Sequence, residues 1–136
     1  MVESAIVLYG NKIIDISLGT AVHVEFGFEN VWEFKRTCKD FYIHNLHFIH
    51  VHPEGFLNYS MTDLNCIQGL NLAFGDVVLF SIVCFKNSNM NDLSYGIRTF
   101  FYNKEMVEID YDYDLISEKH LTVLKSLSYY GVNILK

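Results

Sequence analysis

A chain of 136 residues that is 51% hydrophobic, with 11 Phe, 9 Tyr and a single Pro, is too apolar and aromatic to stay disordered. Its length suits one domain, residues 1–136, able to bury roughly two-thirds of the surface of the unfolded chain. The formal net charge of −6 excludes the basic footprint with which nucleic-acid binders neutralise phosphates. No apolar run approaches the roughly 20 residues that span a bilayer, and Met1-Val2-Glu3-Ser4 lacks the basic and apolar regions of a signal peptide. The cytoplasm, away from membranes, is therefore the expected setting. Cys38, Cys66 and Cys84 are odd in number and widely spaced, which signals neither a disulfide framework nor a thiolate metal site.

In chain order, Ala5 to Leu8 is an apolar run closed by the turn signal Tyr9-Gly10-Asn11-Lys12, and Ile13 to Ser17 alternates apolar with polar. This reads as a hairpin. After a break at Leu18-Gly19-Thr20, the residues Val22, Val24, Phe26 and Phe28 recur at every second position, the period of a strand with one buried face. Glu29 to Phe41 is looser and fits a short helix. Leu46 to Val51 reads as a strand that leads into the turn Pro53-Glu54-Gly55.

Ser60-Met61-Thr62-Asp63 has the form of a helix N-cap with an acidic residue three positions on, so a helix is expected from Met61 to Phe74. Asp76 to Phe85 is nearly unbroken apolar sequence, the mark of a strand buried on both faces. A polar loop from Lys86 to Asp92 separates it from a strand at Leu93 to Tyr102, and Asn103-Lys104 turns into Met106 to Tyr113. The row Asp110, Asp112 and Asp114 reads as a solvated edge. A last helix runs from Ser117 to Tyr130, stopped by Gly131, with Leu121, Leu124 and Leu127 on one stripe. The sum is an α+β domain, a mixed β-sheet flanked by helices.

The chemistry concentrates in one segment. His50 and His52 are two apart on a strand, so both imidazoles leave the same face and can meet one metal ion. Asp63 opens the next helix. Two imidazoles and one carboxylate suit zinc, and three protein ligands leave the fourth tetrahedral position to water. Singly, these features are commonplace: H-x-H pairs occur on half-buried strands, Ser60 and Asp63 form an ordinary capping box, and Pro53-Glu54-Gly55 is a turn. Their joint spacing, H-x-H-P followed after six residues by S-x-x-D, is what stands out. A cupin wants a glutamate where this chain has Phe56 and Leu57. An amidohydrolase barrel needs about 250 residues, and the zinc-deaminase signature is missing.

His50-Val51-His52-Pro53, Ser60 and Asp63 resemble the JAMM motif of the JAB/MPN metalloprotease family. The family also has an upstream glutamate at the head of a strand of form E-x-x-x-x-L-x-G, and Glu3 to Gly10 has that form. The resemblance extends from Glu3 to Tyr113. It implies an MPN/JAB-like, cytidine-deaminase-like fold, with zinc held by His50, His52 and Asp63. It further implies Glu3 as general base on the zinc-bound water and Ser60 as a stabiliser of the tetrahedral intermediate. Family members usually open with a helix before the glutamate strand; here the helix from Ser117 can pack in that place. Glu25, Glu29 and Glu33 are the rival bases. His23, His44, His47 and His120 read as ordinary residues, and of these only His47 is close enough to the site to matter.

The activity implied is that of a zinc-dependent peptidase or isopeptidase, in a compact prokaryotic or phage-type form. The implied substrate is the C-terminal tail of a ubiquitin-like modifier or a related protein. A narrow slot walled by Phe41, Tyr42 and Phe48 would favour a Gly-Gly tail, held along a free edge formed by the histidine strand or by Glu29 to Phe41. The alternatives are a non-catalytic MPN scaffold, a factor that processes phage tail proteins, and a zinc that only braces the fold.

Overall fold

The hairpin at the start of the chain forms one edge of a mixed sheet. In the computed structural model, which describes residues 1–52, 56–75, 78–109 and 116–131, β1 (Ser4–Tyr9) reaches β2 (Lys12–Leu18) through Gly10. Gly10 has φ 59°, a left-handed conformation that glycine adopts without a Cβ penalty. There follow α1 (Phe28–Thr37), a 3-10 turn (Ile43–Asn45), β3 (Leu46–Val51), α2 (Met61–Phe74), β4 (Val78–Phe85), β5 (Tyr95–Tyr102), β6 (Met106–Ile109) and α3 (Glu118–Tyr130). The strand order is β2-β1-β3-β4-β5-β6. Among the described strands, only β3 and β4 pair in parallel, and α2 supplies the crossover such a pair requires. This is an α+β domain with a helical layer on each face.

Strand parity decides which residues face which layer. Ala5 and Val7 of β1, with Phe48, Phe80 and Phe100, pack against Val31 of α1 and Ile67, Leu70 and Phe74 of α2. Ile6 and Leu8, with Ile49, Val51, Val83 and Phe85, pack against Leu121, Val123, Leu124 and Leu127 of α3. The three phenylalanines Phe48, Phe80 and Phe100 are fully buried, each contributing about 1.5–3 kcal/mol by its removal from water. Because β3 is central, its even residues Leu46, Phe48 and His50 share the α1/α2 side with the core between those helices and the sheet.

Both helix ends read from sequence are built as expected. Ser60 Oγ accepts the Asp63 N–H at 3.1 Å, and Asp63 Oδ2 accepts the Ser60 N–H at 2.8 Å. Ser117 accepts the His120 N–H at 3.2 Å, and Gly131 closes α3 at φ 68°.

The strand read at Val22 to Phe28 does not form. Val24 and Phe26 do point into the core, but Val22 is 84% exposed and Phe28 opens α1. A two-residue period reports one-sided burial and not a hydrogen-bonded neighbour, and this segment is held by other means. Thr20 N–H donates to the His23 carbonyl at 2.7 Å. Asp15, buried on β2, accepts the Gly27 N–H at 2.8 Å and the Asn30 side chain at 2.7 Å, so a strand residue caps α1. A Cβ on Gly27 would stand 2.3 Å from Asp15 Oδ1, which only glycine avoids.

Glu3 is fixed from two sides. Its N–H donates to Thr20 O at 2.7 Å, its carbonyl accepts the Gly19 N–H at 2.9 Å, and the preceding Val2 N–H bonds Ser128 O at 2.9 Å. Ser4 Oγ reaches Leu124 O at 3.1 Å and Ser128 Oγ at 2.6 Å. Thus α3 covers the Glu3 end of β1. The turn at Pro53-Glu54-Gly55, the first residues read into β4, the extension of β6 to Tyr113 and the row Asp110, Asp112 and Asp114 lie outside the described residues.

Candidate metal centre

The site stands where β3 ends and α2 begins, the carboxyl end of a parallel strand pair, where α/β sheets commonly hold ligands. His50 leaves the α2 face of β3. His52 follows one residue beyond the strand, its N–H bonded to Val83 O at 2.9 Å, so the register of the ladder carries past the last strand residue and the two rings stay on one face. Their centroids are 4.4 Å apart. The capping box sets Asp63 in the first turn of α2, and its carboxylate meets both rings: Oδ1 lies 3.4 Å from His50 Nε2 and Oδ2 lies 3.1 Å from His52 Nε2. Glu3 approaches from β1, Oε1 lying 3.7 Å from His50 Nδ1, because Ala5 pairs with His50 across the antiparallel ladder. All four residues are buried.

The donors are of a kind that can hold a metal ion. Donors around a tetrahedral metal stand about 3.3 Å from one another, and each Nε2 has one Asp63 oxygen in that range, Oδ1 for His50 and Oδ2 for His52. His52 Nδ1 lies 2.9 Å from the Phe56 carbonyl. A carbonyl only accepts, so Nδ1 carries a proton and the ring is fixed with Nε2 toward Asp63, where it donates to the carboxylate when the imidazole is charged and offers a lone pair to a metal when it is neutral. Neither nitrogen of the buried His50 ring has a hydrogen-bond partner. A buried unsatisfied polar atom costs about 1–3 kcal/mol, a penalty that a cation at Nε2 removes. Glu3, His50 and His52 also offer ligand atoms within 4.8 Å of one another. Asp63 approaches both rings at Nε2, whereas Glu3 comes within 3.7 Å of His50 at the opposite ring nitrogen, Nδ1.

The electrostatics follow from burial and proximity. Burial pushes the His50 imidazole down to about 3. Burial also opposes charge on His52, but its hydrogen bond to Asp63 and the charges of Asp63 and Glu3 outweigh this and raise its pKa. Asp63 mirrors it: burial alone would raise its pKa, and the hydrogen bond from His52 with the nearby imidazole charges brings it below the ordinary value. Burial raises the carboxyl of Glu3, against the opposing charge of His52.

The structure brings together every residue named from the motif, Glu3, His50, His52, Ser60 and Asp63. The rival bases Glu25, Glu29 and Glu33 are exposed. Three other expectations are corrected. His47 lies on the opposite face of β3, bonded to Ser81 Oγ at 2.6 Å, because an odd residue on this strand points to α3. The histidine beside the site is His23, which lines two cavities: one of about 240 Å³ with Glu3, His52 and Ser60, the other of about 350 Å³ with His50. Its only sequence signal was its position just after the break at Gly19. Thirdly, the residues read as slot walls stand elsewhere. Phe41 stacks on Tyr9 at 5.4 Å, Tyr42 is exposed and Phe48 is in the core. Nor does β3 offer a free edge, since β1 and β4 flank it, while most of Glu29 to Phe41 is helix.

His47 gives a pH prediction. Burial lowers its pKa from 6.5 to about 3, so between these values the unfolded chain binds the proton and the folded chain does not. Stability from this group is complete above pH 6.5 and is lost as pH falls toward 3, by up to about 1.4 kcal/mol per pH unit. Urea unfolding in chelator at pH 7, 6 and 5 should show a smaller loss for His47→Gln than for the wild type; equal losses would refute it.

No protein-family model matches the chain, and no curated protein matches it.

Proposed function

We propose that this chain is a zinc-dependent peptidase or isopeptidase of the JAMM type, working in the cytoplasm, where its three free cysteines suit a reducing environment. The observation that carries the reading is the meeting of two imidazole Nε2 atoms with Asp63 at 3.1–3.4 Å, with a second buried carboxylate, Glu3, alongside. His50, His52 and Asp63 are the residues that would hold the metal. Zinc bound there supplies Lewis acidity and lowers the pKa of a coordinated water to about 7.

The remaining work falls to the chain's own groups. Glu3 takes a proton from the attacking water and passes it to the departing amine; its burial and raised pKa bring it toward the range in which a carboxylate can both accept and return a proton. Asp63 and the Phe56 carbonyl fix the His52 ring. Ser60 Oγ already accepts the Asp63 N–H, so its own hydroxyl proton is free to donate to the carbonyl oxygen of the substrate as charge develops there.

The substrate that the resemblance implies is the tail of a ubiquitin-like modifier joined to an amine. The rival reading is a scaffold module without turnover. The test is metal analysis of the purified chain together with hydrolysis of peptide and isopeptide substrates. About one zinc per chain, with cleavage abolished by chelator and restored by zinc, is the expected result. Bound zinc without cleavage of any amide would favour a structural metal, and a metal-free protein would sink the zinc reading.

A further inference from the structure

The cavity of about 350 Å³ beside His50 bears on which substrates the site accepts. It runs between residues 23–28 and α2. Phe26, Phe28, Cys66 and Phe80 make its apolar wall, and the polar side chains of Glu25, Asn65, His50 and Asp63, among others, line the rest. Cys66 comes from the second turn of α2, one turn on from Asp63, and Phe80 from β4, so rigid elements shape it on two sides. His23, Thr62 and Asp63 line both this cavity and the smaller one that contains Glu3; the two spaces therefore flank the place where a bond would be cleaved. Its size is ample, since a cavity of about 150 Å³ already accepts a benzene ring.

We propose that this cavity receives a large apolar side chain, of leucine or phenylalanine size, from a residue of the substrate next to the cleaved bond. The inference rests on the peptidase reading and departs from the Gly-Gly tail that the resemblance implies. The phenylalanine and cysteine side of the cavity offers an apolar group contact without hydrogen-bond demands, the polar lining stays turned to its other groups and to water, and glycine leaves the space unfilled. Burial of such a side chain favours it over glycine by roughly ten- to a hundredfold. A bulky residue at the bond is thus preferred to a Gly-Gly tail.

The experiment uses the full chain with zinc and a set of fluorogenic peptides that differ only in the residues flanking the cleaved bond: Gly, Ala, Leu or Phe. The wild type should prefer Leu or Phe over Gly by tenfold or more in kcat/KM. Two substitutions that fill the cavity, Cys66→Phe and Asn65→Trp, the latter at an exposed position of its lining, should each reduce that preference tenfold while the Gly peptide changes less than twofold. Circular dichroism checks that each variant folds. Equal rates on Gly and Phe peptides in the wild type, or a parallel loss on all peptides in both folded variants, would overturn the proposal. Should no peptide be cleaved, the peptidase reading is what fails, and anisotropy of a labelled Phe peptide then judges the cavity. Saturable binding weakened tenfold by Asn65→Trp sustains it as an apolar binding site, and absent or unchanged binding overturns it.

Discussion

Glu3→Gln should keep the fold and the metal and lower turnover by a factor of roughly a hundred to ten thousand, the usual worth of a positioned acid–base group. The substitution is nearly isosteric, and the backbone bonds of Glu3 to Thr20 and Gly19 do not involve the side chain. The amide cannot take up the proton that the carboxylate carries. Steady-state kinetics with zinc quantified in the same samples give the answer. If zinc is lost along with activity, Glu3 belongs to the ligand set, as its position within 4.8 Å of ligand atoms of both histidines allows; if activity persists, the proton carrier is another group. Glu25, Glu29 and Glu33 are too exposed to enjoy the same desolvation.

The second large effect is on metal content. His52→Ala should reduce zinc from about one per chain to nearly none after dialysis, because it removes one of three donors. Asp63 needs a subtler variant, since its carboxylate also accepts the Ser60 N–H at 2.8 Å: Asp63→Asn keeps an acceptor for the cap while removing the charge that faces both rings. It should also empty the site. Ser60→Ala serves as the contrast, losing about 0.5–2 kcal/mol of stability with the cap yet retaining zinc. Elemental analysis with parallel denaturant unfolding separates the cases, and zinc unchanged in His52→Ala and Asp63→Asn would end the metal proposal.

How much of this was legible in the sequence differs by element. α2 was readable to its ends because its signals are local: a Ser three residues before an Asp makes a capping box wherever a helix follows. The same is true of Gly10 in the first turn and of Gly131 after α3. The segment Val22 to Phe28 misled because its alternation arises from inward-pointing Val24 and Phe26, while its backbone is held by the side chain of Asp15, twelve residues before Gly27. His47 misled because nearness in sequence to His50 says nothing of strand parity, and one residue's difference put it on the far face.

The sequence by itself determined which residues can form the candidate centre and where their elements begin, since H-x-H on a strand and S-x-x-D at a helix start each follow from local geometry. Only the tertiary structure decided that Glu3 meets them, because that meeting depends on β1 pairing antiparallel with β3 so that Ala5 lies opposite His50. It also decided that α3 ties the start of β1 in place through Val2 and Ser4, contacts more than a hundred residues apart in the chain. The cavities likewise belong to the fold alone: their walls come from the 21–28 segment, the histidine strand, β4 and α2, and no spacing within one stretch of chain encodes the width of a gap between separate elements.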